Sequence, residues 1–177
     1  MSQRSTTTRS MHDLGLATWF GGSLMGAVGL NGAAAAAHPP PEVLRLSSKG
    51  WARWAPVNAV AIGAHLLGGS GLLAGNKSRL TLQPEARQNT SVKTGLTVAA
   101  LALTAYSGYL GRQVAKHERH GAPGATEPDP SAPTALRQAQ SRLRAAQWAI
   151  PAVTGALIVL GAQQGEQQRP LAGLLSR

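Results

Sequence analysis

The sequence predicts an all-α fold, a polytopic integral membrane protein built as a single four-transmembrane-helix bundle over residues 1–177. The chain is 43% hydrophobic and carries a formal net charge of +10, yet all of its charged side chains fall outside four segments. These segments span about 14–37, 55–75, 94–111 and 146–163, each close to the ~20 residues that an α-helix needs to cross a bilayer. None shows the period-2 alternation of a strand, so four helices are expected.

The alternative of a soluble helical bundle fits the charge pattern poorly. A helix in water carries a polar stripe, with charged residues recurring on its solvent face. The four segments have no charged face, and the single Phe and 4% aromatic content leave few bulky residues for a soluble core. The absence of cysteine excludes disulfides, thiolate nucleophiles and Cys-ligated metals.

The net charge of +10 first suggests nucleic acid as a partner. A nucleic-acid site gathers basic residues on one element, often with aromatic side chains that stack on bases. Here the 17 Lys and Arg residues are spread over every connector and both tails. That spread favours contact with lipid headgroups, so the expected partner is the lipid bilayer and nucleic acid is not expected.

The first segment also has the ingredients of a secretory signal. Arg4 and Arg9 precede an apolar run that ends in Ala33–Ala37. The run is longer than a usual signal core, and its glycines are typical of a packed helix, so an uncleaved first span is the preferred interpretation. A mature N-terminus at His38 would instead indicate cleavage.

Four antiparallel spans place both termini on one face of the membrane. Eight basic residues fall on that face and nine on the other, so the positive-inside rule gives no orientation. Most of the aromatic belt is expected on the face opposite the termini, and only Trp19 and Phe20 are expected to serve the terminal face. The members on the opposite face are Trp51, Trp54, Tyr106, Tyr109 and Trp148.

The long connector before the fourth span has two parts. Residues 112–133 are polar and rich in Gly and Pro, which predicts a flexible connector without a packed core. Residues 134–146 place Leu136, Ala139 and Leu143 on one helical face. That pattern fits either a short interfacial helix or a solvated extension of the fourth span.

Polar side chains within the spans predict a structural polar layer. Asn31 near the end of the first span and Asn58 near the start of the second should lie within about one helical turn in depth. Because an unpaired amide in hydrocarbon is costly, they are expected to meet each other or a shared partner. Tyr106 and Ser107 fall near the same level.

Small residues dominate the spans and predict close helix packing. Gly22 and Gly26 form a GxxxG spacing, which lets helix backbones approach one another in lipid. Packing inside the bundle is the first interpretation. A membrane-protein partner or a second copy bound through Gly-rich faces is the alternative.

His65 is the only ionisable side chain that lies deep within a predicted span. Such a residue is a functional-site hypothesis, as a ligand, a proton relay or a hydrogen-bond partner. The competing interpretation is a neutral imidazole bonded to a nearby hydroxyl or carbonyl group.

The start of the first span carries a family resemblance over about a dozen residues. Met11-His-Asp-Leu-Gly-Leu-Ala-Thr-Trp-Phe-Gly-Gly22 resembles the opening helix of the CopD-like and TMEM205-like families of small polytopic membrane proteins. It also looks like the opening of some actinobacterial membrane proteins. In haem-binding CopD-like relatives the histidine of the first helix can be an axial ligand, so the resemblance implies that role for His12.

The predicted spans argue against one haem held by both His12 and His65. His12 lies at the terminal face, whereas His65 is about ten residues, or about 15 Å, deeper. His117 and His120 have helical i, i+3 spacing, but no carboxylate or Cys supports a metal site there. No cofactor is therefore predicted, with haem as the alternative.

No enzyme is predicted, because the sequence contains no nucleophile elbow, phosphate loop, HExxH motif or paired carboxylates. The expected function is that of a small structural or accessory protein of the bacterial inner membrane. The bacterial source is inferred from the preference for Arg over Lys and the abundance of Ala and Gly. The alternative is a haem- or metal-binding redox protein of the CopD-like kind.

Overall fold

The structure, a computed structural model, describes residues 6–75 and 84–167. Helices account for nearly all of these residues, and no strand occurs among them, so the all-α prediction is confirmed. The elements are α1 (Thr6–Met25), a π-helical stretch (Gly26–Leu30), α2 (Asn31–Ala35), α3 (Pro40–Gly75), α4 (Pro84–Ala115), a 3₁₀ turn (Glu118–His120) and α5 (Thr134–Gln167). Five of the eight basic residues predicted for the terminal face lie outside the described residues: Arg4, Lys77, Arg79, Arg169 and Arg177.

α1, the π-helical stretch and α2 form one continuous helical rod. Met25 and Asn31, which flank the π-helical stretch, both keep right-handed helical backbone angles. A π-helical stretch adds a residue to the turn and so rotates the residues that follow it relative to those before it. Asn31, the first residue of α2, becomes buried in this way on the inner side of the rod.

Proline ends the first rod and starts the next one. α2 ends at Ala35, shortly before Pro39, because a proline ring disfavours helical conformation in the residue before it. Pro40 is the first residue of α3, where its missing N–H group costs nothing. Glu42 in the first turn is paired with Arg45, one turn further on.

The helices are longer than the predicted spans. α3, α4 and α5 contain 36, 32 and 34 residues, which correspond to about 48–54 Å of helix. A hydrocarbon layer of about 30 Å covers only part of such a length. Each helix therefore extends into the charged sequence that flanks its apolar segment.

α1 and α3 are antiparallel and approach each other at glycine positions. A Cβ atom added at Gly68 would lie 2.5 Å from the backbone nitrogen of His12, and one at Gly15 would lie 2.6 Å from the backbone nitrogen of His65. Further along, Gly22 and Gly26 lie under the indole rings of Trp54 and Trp51. The GxxxG spacing is thus used inside the bundle, as the first interpretation expected.

The buried side chains form two separate clusters. The central core lies between α1, α4 and α5 and is built around Trp19, whose side chain is fully buried, with Leu16, Ala100, Ile150 and Leu157. The cap core lies at the end of the molecule that carries the long connector, with Leu44, Leu110, Val114, Ala122, Leu136, Ala139 and Leu143. We call the surrounding residues, 40–54 and 112–145, the cap.

The connector at 112–133 differs from the expected unpacked segment. Ala122, Ala125 and Thr126 are buried, and Ala122 belongs to the cap core. The Nε2 group of the buried Gln140 donates hydrogen bonds to the carbonyl oxygens of Gly124, at 3.1 Å, and Ala125, at 3.4 Å. The Gly and Pro residues shape a loop that folds back on α5. The contact joins residues that are 15 and 16 positions apart in the sequence, so the local composition of the loop does not reveal it.

The segment at 134–146 is the first part of α5 and continues into it without a break. Leu136, Ala139, Leu143 and Ala146 are buried, and the first three belong to the cap core. Because protein covers this apolar face, it is not available to a membrane interface. The structure therefore favours the extension of the fourth span over a separate interfacial helix.

Two of the described helices, α3 and α5, are long and apolar enough to cross a membrane by length and composition. Within their most apolar stretches only 17% of α3 and 33% of α5 is buried by the rest of the protein. Most of that apolar surface therefore faces outward.

Candidate functional site

His65 lies at the contact between α3 and α1, and 3% of the residue is exposed. Its Nδ1 atom is 3.1 Å from the backbone carbonyl oxygen of His12. A carbonyl oxygen can only accept, so the Nδ1–H group of His65 is the donor. This is the bond to a carbonyl that the structural interpretation of His65 expected.

The imidazole rings of His12 and His65 lie against each other. Their centroids are 4.3 Å apart and their planes are tilted by 38°. The Nδ1 atom of His12 is 2.9 Å from the Oδ1 atom of Asp13, so this nitrogen donates to the carboxylate. Each ring is thus oriented through its Nδ1 atom, by a backbone carbonyl in one case and by a carboxylate in the other.

The expected depth difference of about 15 Å between His12 and His65 is not found. The helix that carries His12 begins at Thr6 rather than at Leu14, so His12 lies well inside the first rod. The register of α1 on α3 is set by Gly15 and Gly68, which allow the two backbones to touch. In that register His12 lies directly opposite the part of α3 that carries His65.

Trp19 and Thr104 lie on the inner side of the histidine pair. The edge of the Trp19 indole faces the His65 ring, with centroids 6.3 Å apart. Trp19 Nε1 donates to the Oγ1 atom of Thr104 on α4 at 3.1 Å. Sequence reasoning assigned Trp19 to the aromatic belt and passed over Thr104, because the partner of an indole N–H is fixed by tertiary packing and leaves no local signal.

Charged groups surround the exposed side of the pair. Asp13 and Arg9 follow one face of α1, and Lys93 on α4 interacts electrostatically with both. The ammonium group of Lys93 also approaches Gly161 of α5. We call this polar end the histidine layer; its members His12, Asp13, His65 and Lys93 come from the first rod, α3 and α4.

The histidine pair does not fit a haem held by two axial ligands. Such ligands approach one iron from opposite sides of the porphyrin, whereas the centroids of these two rings are 4.3 Å apart, which leaves no space for a macrocycle between them. Within the described residues no three His, Cys, Asp or Glu side chains come together in a way that could hold a metal ion. His117 and His120 have ring centroids 5.8 Å apart, but the Nδ1 atom of His117 is used by the carbonyl oxygen of Gln113.

A second polar site joins three helices at the other end of the central core. The Nδ2 group of Asn31 donates to Gln147 Oε1 of α5 at 2.7 Å. Its Oδ1 atom accepts from Trp51 Nε1 at 2.9 Å and from Ser47 Oγ at 3.3 Å, both on α3. We call these four residues the asparagine layer. Asn31, Ser47 and Gln147 are buried, so the layer is shielded from its surroundings.

The structure does not bring the other predicted polar residues to Asn31. Asn58 is buried, but its Oδ1 atom has no hydrogen-bond partner among the described residues. It lies seven residues beyond Trp51, or about 10 Å further along α3, because the cap extends this helix and shifts its register. Tyr106 faces outward and Ser107 is half-buried, and neither bonds to Asn31.

Gln147 was missed by sequence reasoning, although a signal was available. It stands at the start of the fourth apolar segment, and an amide in an apolar segment needs a hydrogen-bond partner there just as Asn31 does. Sequence reasoning searched for a partner of Asn31 mainly on the second predicted span. A search for polar residues at the same predicted depth on every span would have found Gln147.

No protein-family model, curated protein or solved structure matches this chain.

Proposed function

We propose that the chain is a four-span integral membrane protein of the bacterial inner membrane with a structural or accessory role. The observation that carries this proposal is the outward apolar surface. Large hydrophobic side chains are exposed on every rod, among them Leu14, Val28, Val60, Leu67, Val98 and Val159. In water this surface would have no favourable environment, whereas lipid acyl chains would cover it.

The spacing of the two polar layers supports the same proposal. His12 and Asn31 are 19 residues apart on the first rod, which corresponds to about 28 Å along the helix axis. That length is close to the ~30 Å thickness of a bilayer's hydrocarbon core. The charged side chains lie at or beyond the two layers, and the helix surface between them carries none.

A structural or accessory role is supported by what the polar residues do. The hydrogen bonds of Asn31, Trp19 and His65 each join two or more helices and use the polar atoms for internal contacts. Partner contacts, with another membrane protein or a second copy, would fall on the glycines that none of the described residues covers. These include Gly21, Gly32 and Gly63, in contrast to Gly22, Gly26 and Gly68.

The experiment is fractionation of cells that express the full chain. We expect the protein in the membrane fraction after extraction with alkaline carbonate, and its release only by detergent. Recovery in the soluble fraction without detergent would contradict the proposal.

A second candidate function is haem or metal binding of the CopD-like kind. The observation that favours it is the histidine pair, because both rings are oriented through Nδ1, as the second shell of a ligating histidine requires. The contact between the two rings restricts this candidate to coordination by one histidine at a time. An absorption spectrum and a metal analysis of the detergent-purified protein test it: a Soret band that is lost in His12→Ala supports haem, and a colourless, metal-free preparation contradicts the candidate.

A further inference from the structure

The basic residues of the cap face outward, whereas three of its four acidic residues are engaged by neighbours. The cap contains nine Lys and Arg residues and four Asp and Glu residues. Eight of the nine are exposed, and the ninth, Arg45, is half-buried and paired with Glu42. The remaining eight have no carboxylate within salt-bridge distance among the described residues: Lys49, Arg53, Arg112, Lys116, Arg119, Arg137, Arg142 and Arg144.

Three of the four carboxylates are held by local contacts, and the fourth, Glu118, is exposed. The hydrogen bonds from the Ser131 hydroxyl and backbone N–H keep the pKa of Asp129 below its usual value. In the same way, the guanidinium of Arg45 lowers the pKa of Glu42. Glu127 accepts from the backbone and hydroxyl of Thr126. These carboxylates stay ionised, and the excess of positive charge on the cap comes from its nine basic against four acidic side chains.

Three of the exposed basic residues lie at the depth of the asparagine layer. Lys49 stands between Ser47 and Trp51 on α3, and both of those side chains bond to Asn31. Arg53 follows Trp51 by two residues, and Arg144 precedes Gln147 by three, so each lies within about 5 Å of the layer along its helix. The exposed Trp148 directly follows Gln147 and so lies at the same level, where aromatic side chains favour lipid headgroups.

We propose that Lys49, Arg53 and Arg144 form a binding surface for the headgroups of anionic phospholipids at the cap end of the bundle. The inference rests on the proposed membrane insertion. Charge complementarity identifies the occupant: each headgroup presents a phosphate, and Lys and Arg side chains bury their apolar stems while their charged ends reach that level. Arg also binds phosphate through two parallel hydrogen bonds.

The cap supplies a matched control that removes the same residue types. Lys116, Arg119 and Arg137 are also exposed. Arg137 is ten residues before Gln147, or about 15 Å further from the asparagine layer. Lys116 and Arg119 stand next to the 3₁₀ turn and in it, and Gly121 just after that turn meets Pro40, eleven residues or about 16 Å before Trp51 on α3. Both distances exceed the Debye length of about 8 Å at physiological salt, so these outer charges should contribute little to headgroup binding.

The test uses the full chain in nanodiscs that contain phosphatidylcholine and phosphatidylglycerol. The lipid that stays bound is quantified by native mass spectrometry. We expect the wild-type chain to retain phosphatidylglycerol in preference to phosphatidylcholine. In the variant K49Q/R53Q/R144Q this preference should fall on the order of 100-fold, because each of the three charges contributes about fivefold. The variant K116Q/R119Q/R137Q should stay within about threefold of the wild type.

An equal loss of the phosphatidylglycerol preference in both triple variants would overturn the proposal, because it would mean that the net charge of the protein, and not the position of the three residues, determines lipid binding. An unchanged preference in K49Q/R53Q/R144Q would also overturn it. A chain that does not enter nanodiscs at all would instead contradict the proposed membrane insertion, and the two failures are thus distinguishable.

Discussion

Trp51 and Trp54 lie on the same face of α3, and their indole rings cover Gly26 and Gly22 of the first rod. Their N–H groups differ. Trp51 Nε1 donates to Asn31, whereas the buried Trp54 Nε1 has no partner among the described residues. A buried donor without a partner costs about 1–3 kcal/mol, whereas a satisfied one contributes to stability.

The two tryptophans therefore predict opposite responses to the same substitution. Trp54→Phe removes an unpaired donor and keeps a ring over Gly22, so we expect the free energy of unfolding to rise by about 1 kcal/mol. Trp51→Phe leaves Asn31 Oδ1 with Ser47 alone, and we expect a loss of about 1–2 kcal/mol. Denaturant titration of both variants in detergent micelles measures the difference, and two losses of equal size would contradict this account.

The glycines predict a second pair of opposite responses. An added Cβ at Gly68 meets the backbone of α1, which cannot move independently of its helix, so Gly68→Ala should cost about 1–3 kcal/mol. Gly63, on the same helix, has nothing within 4 Å of the added atom. Gly63→Ala should stabilise by about 0.5–1 kcal/mol, because Ala favours helix over Gly. Thermal unfolding of the two variants checks the signs.

At the residue scale, the polar residues that need partners could be recognised in the sequence, but the partners themselves could not. Asn31, Asn58 and His65 were singled out because a polar group in an apolar segment needs a partner. Their partners depend on helix register, which is set by contacts such as Gly15 on His65 and cannot be read from span boundaries. The His12–His65 pair was missed for this reason.

Among the elements, α5 shows how an apolar segment and its helix differ in extent. Its first three turns carry charged residues, yet they are helical because Leu136, Ala139 and Leu143 pack on Leu44 and Leu110. The apolar segments were recognisable from the sequence because they lack charge. The cap was not, because its core joins residues from three helices and a loop rich in Gly and Pro.

The cap core predicts which substitutions weaken the elements around it. Leu136 is fully buried, so Leu136→Ala should lower the free energy of unfolding by about 2–5 kcal/mol. Leu46 on α3 is 42% exposed, so Leu46→Ala should change the free energy of unfolding by about 0.5 kcal/mol or less. Limited proteolysis of the connector provides the readout: Leu136→Ala should speed cleavage between 121 and 133, and equal rates in both variants would contradict the role of the cap core.

In the whole molecule, the two polar layers divide the bundle into a central part and a cap. The central part is held by close helix contacts at glycines and by a few interhelical hydrogen bonds, and its outer surface is apolar. The cap has its own buried core and an outer surface of exposed charges. This division is what a protein requires when a hydrocarbon layer surrounds one part and water surrounds the other.

The absence of native cysteine allows this division to be measured one residue at a time. Thr18, Val60, Ala102 and Ala156 lie on the four rods between the two layers, and all four are exposed in the structure. Ser141 is equally exposed, but it belongs to the cap. A thiol reacts with a maleimide as the thiolate, which requires water.

The most direct test is therefore the reaction of five single-cysteine variants with a membrane-impermeant maleimide, in membrane fragments open to both faces. We predict that Ser141→Cys reacts within the assay. We also predict that Thr18→Cys, Val60→Cys, Ala102→Cys and Ala156→Cys react only after denaturation, because lipid covers them. Rapid labelling at those four positions in intact membranes would contradict the four-span account.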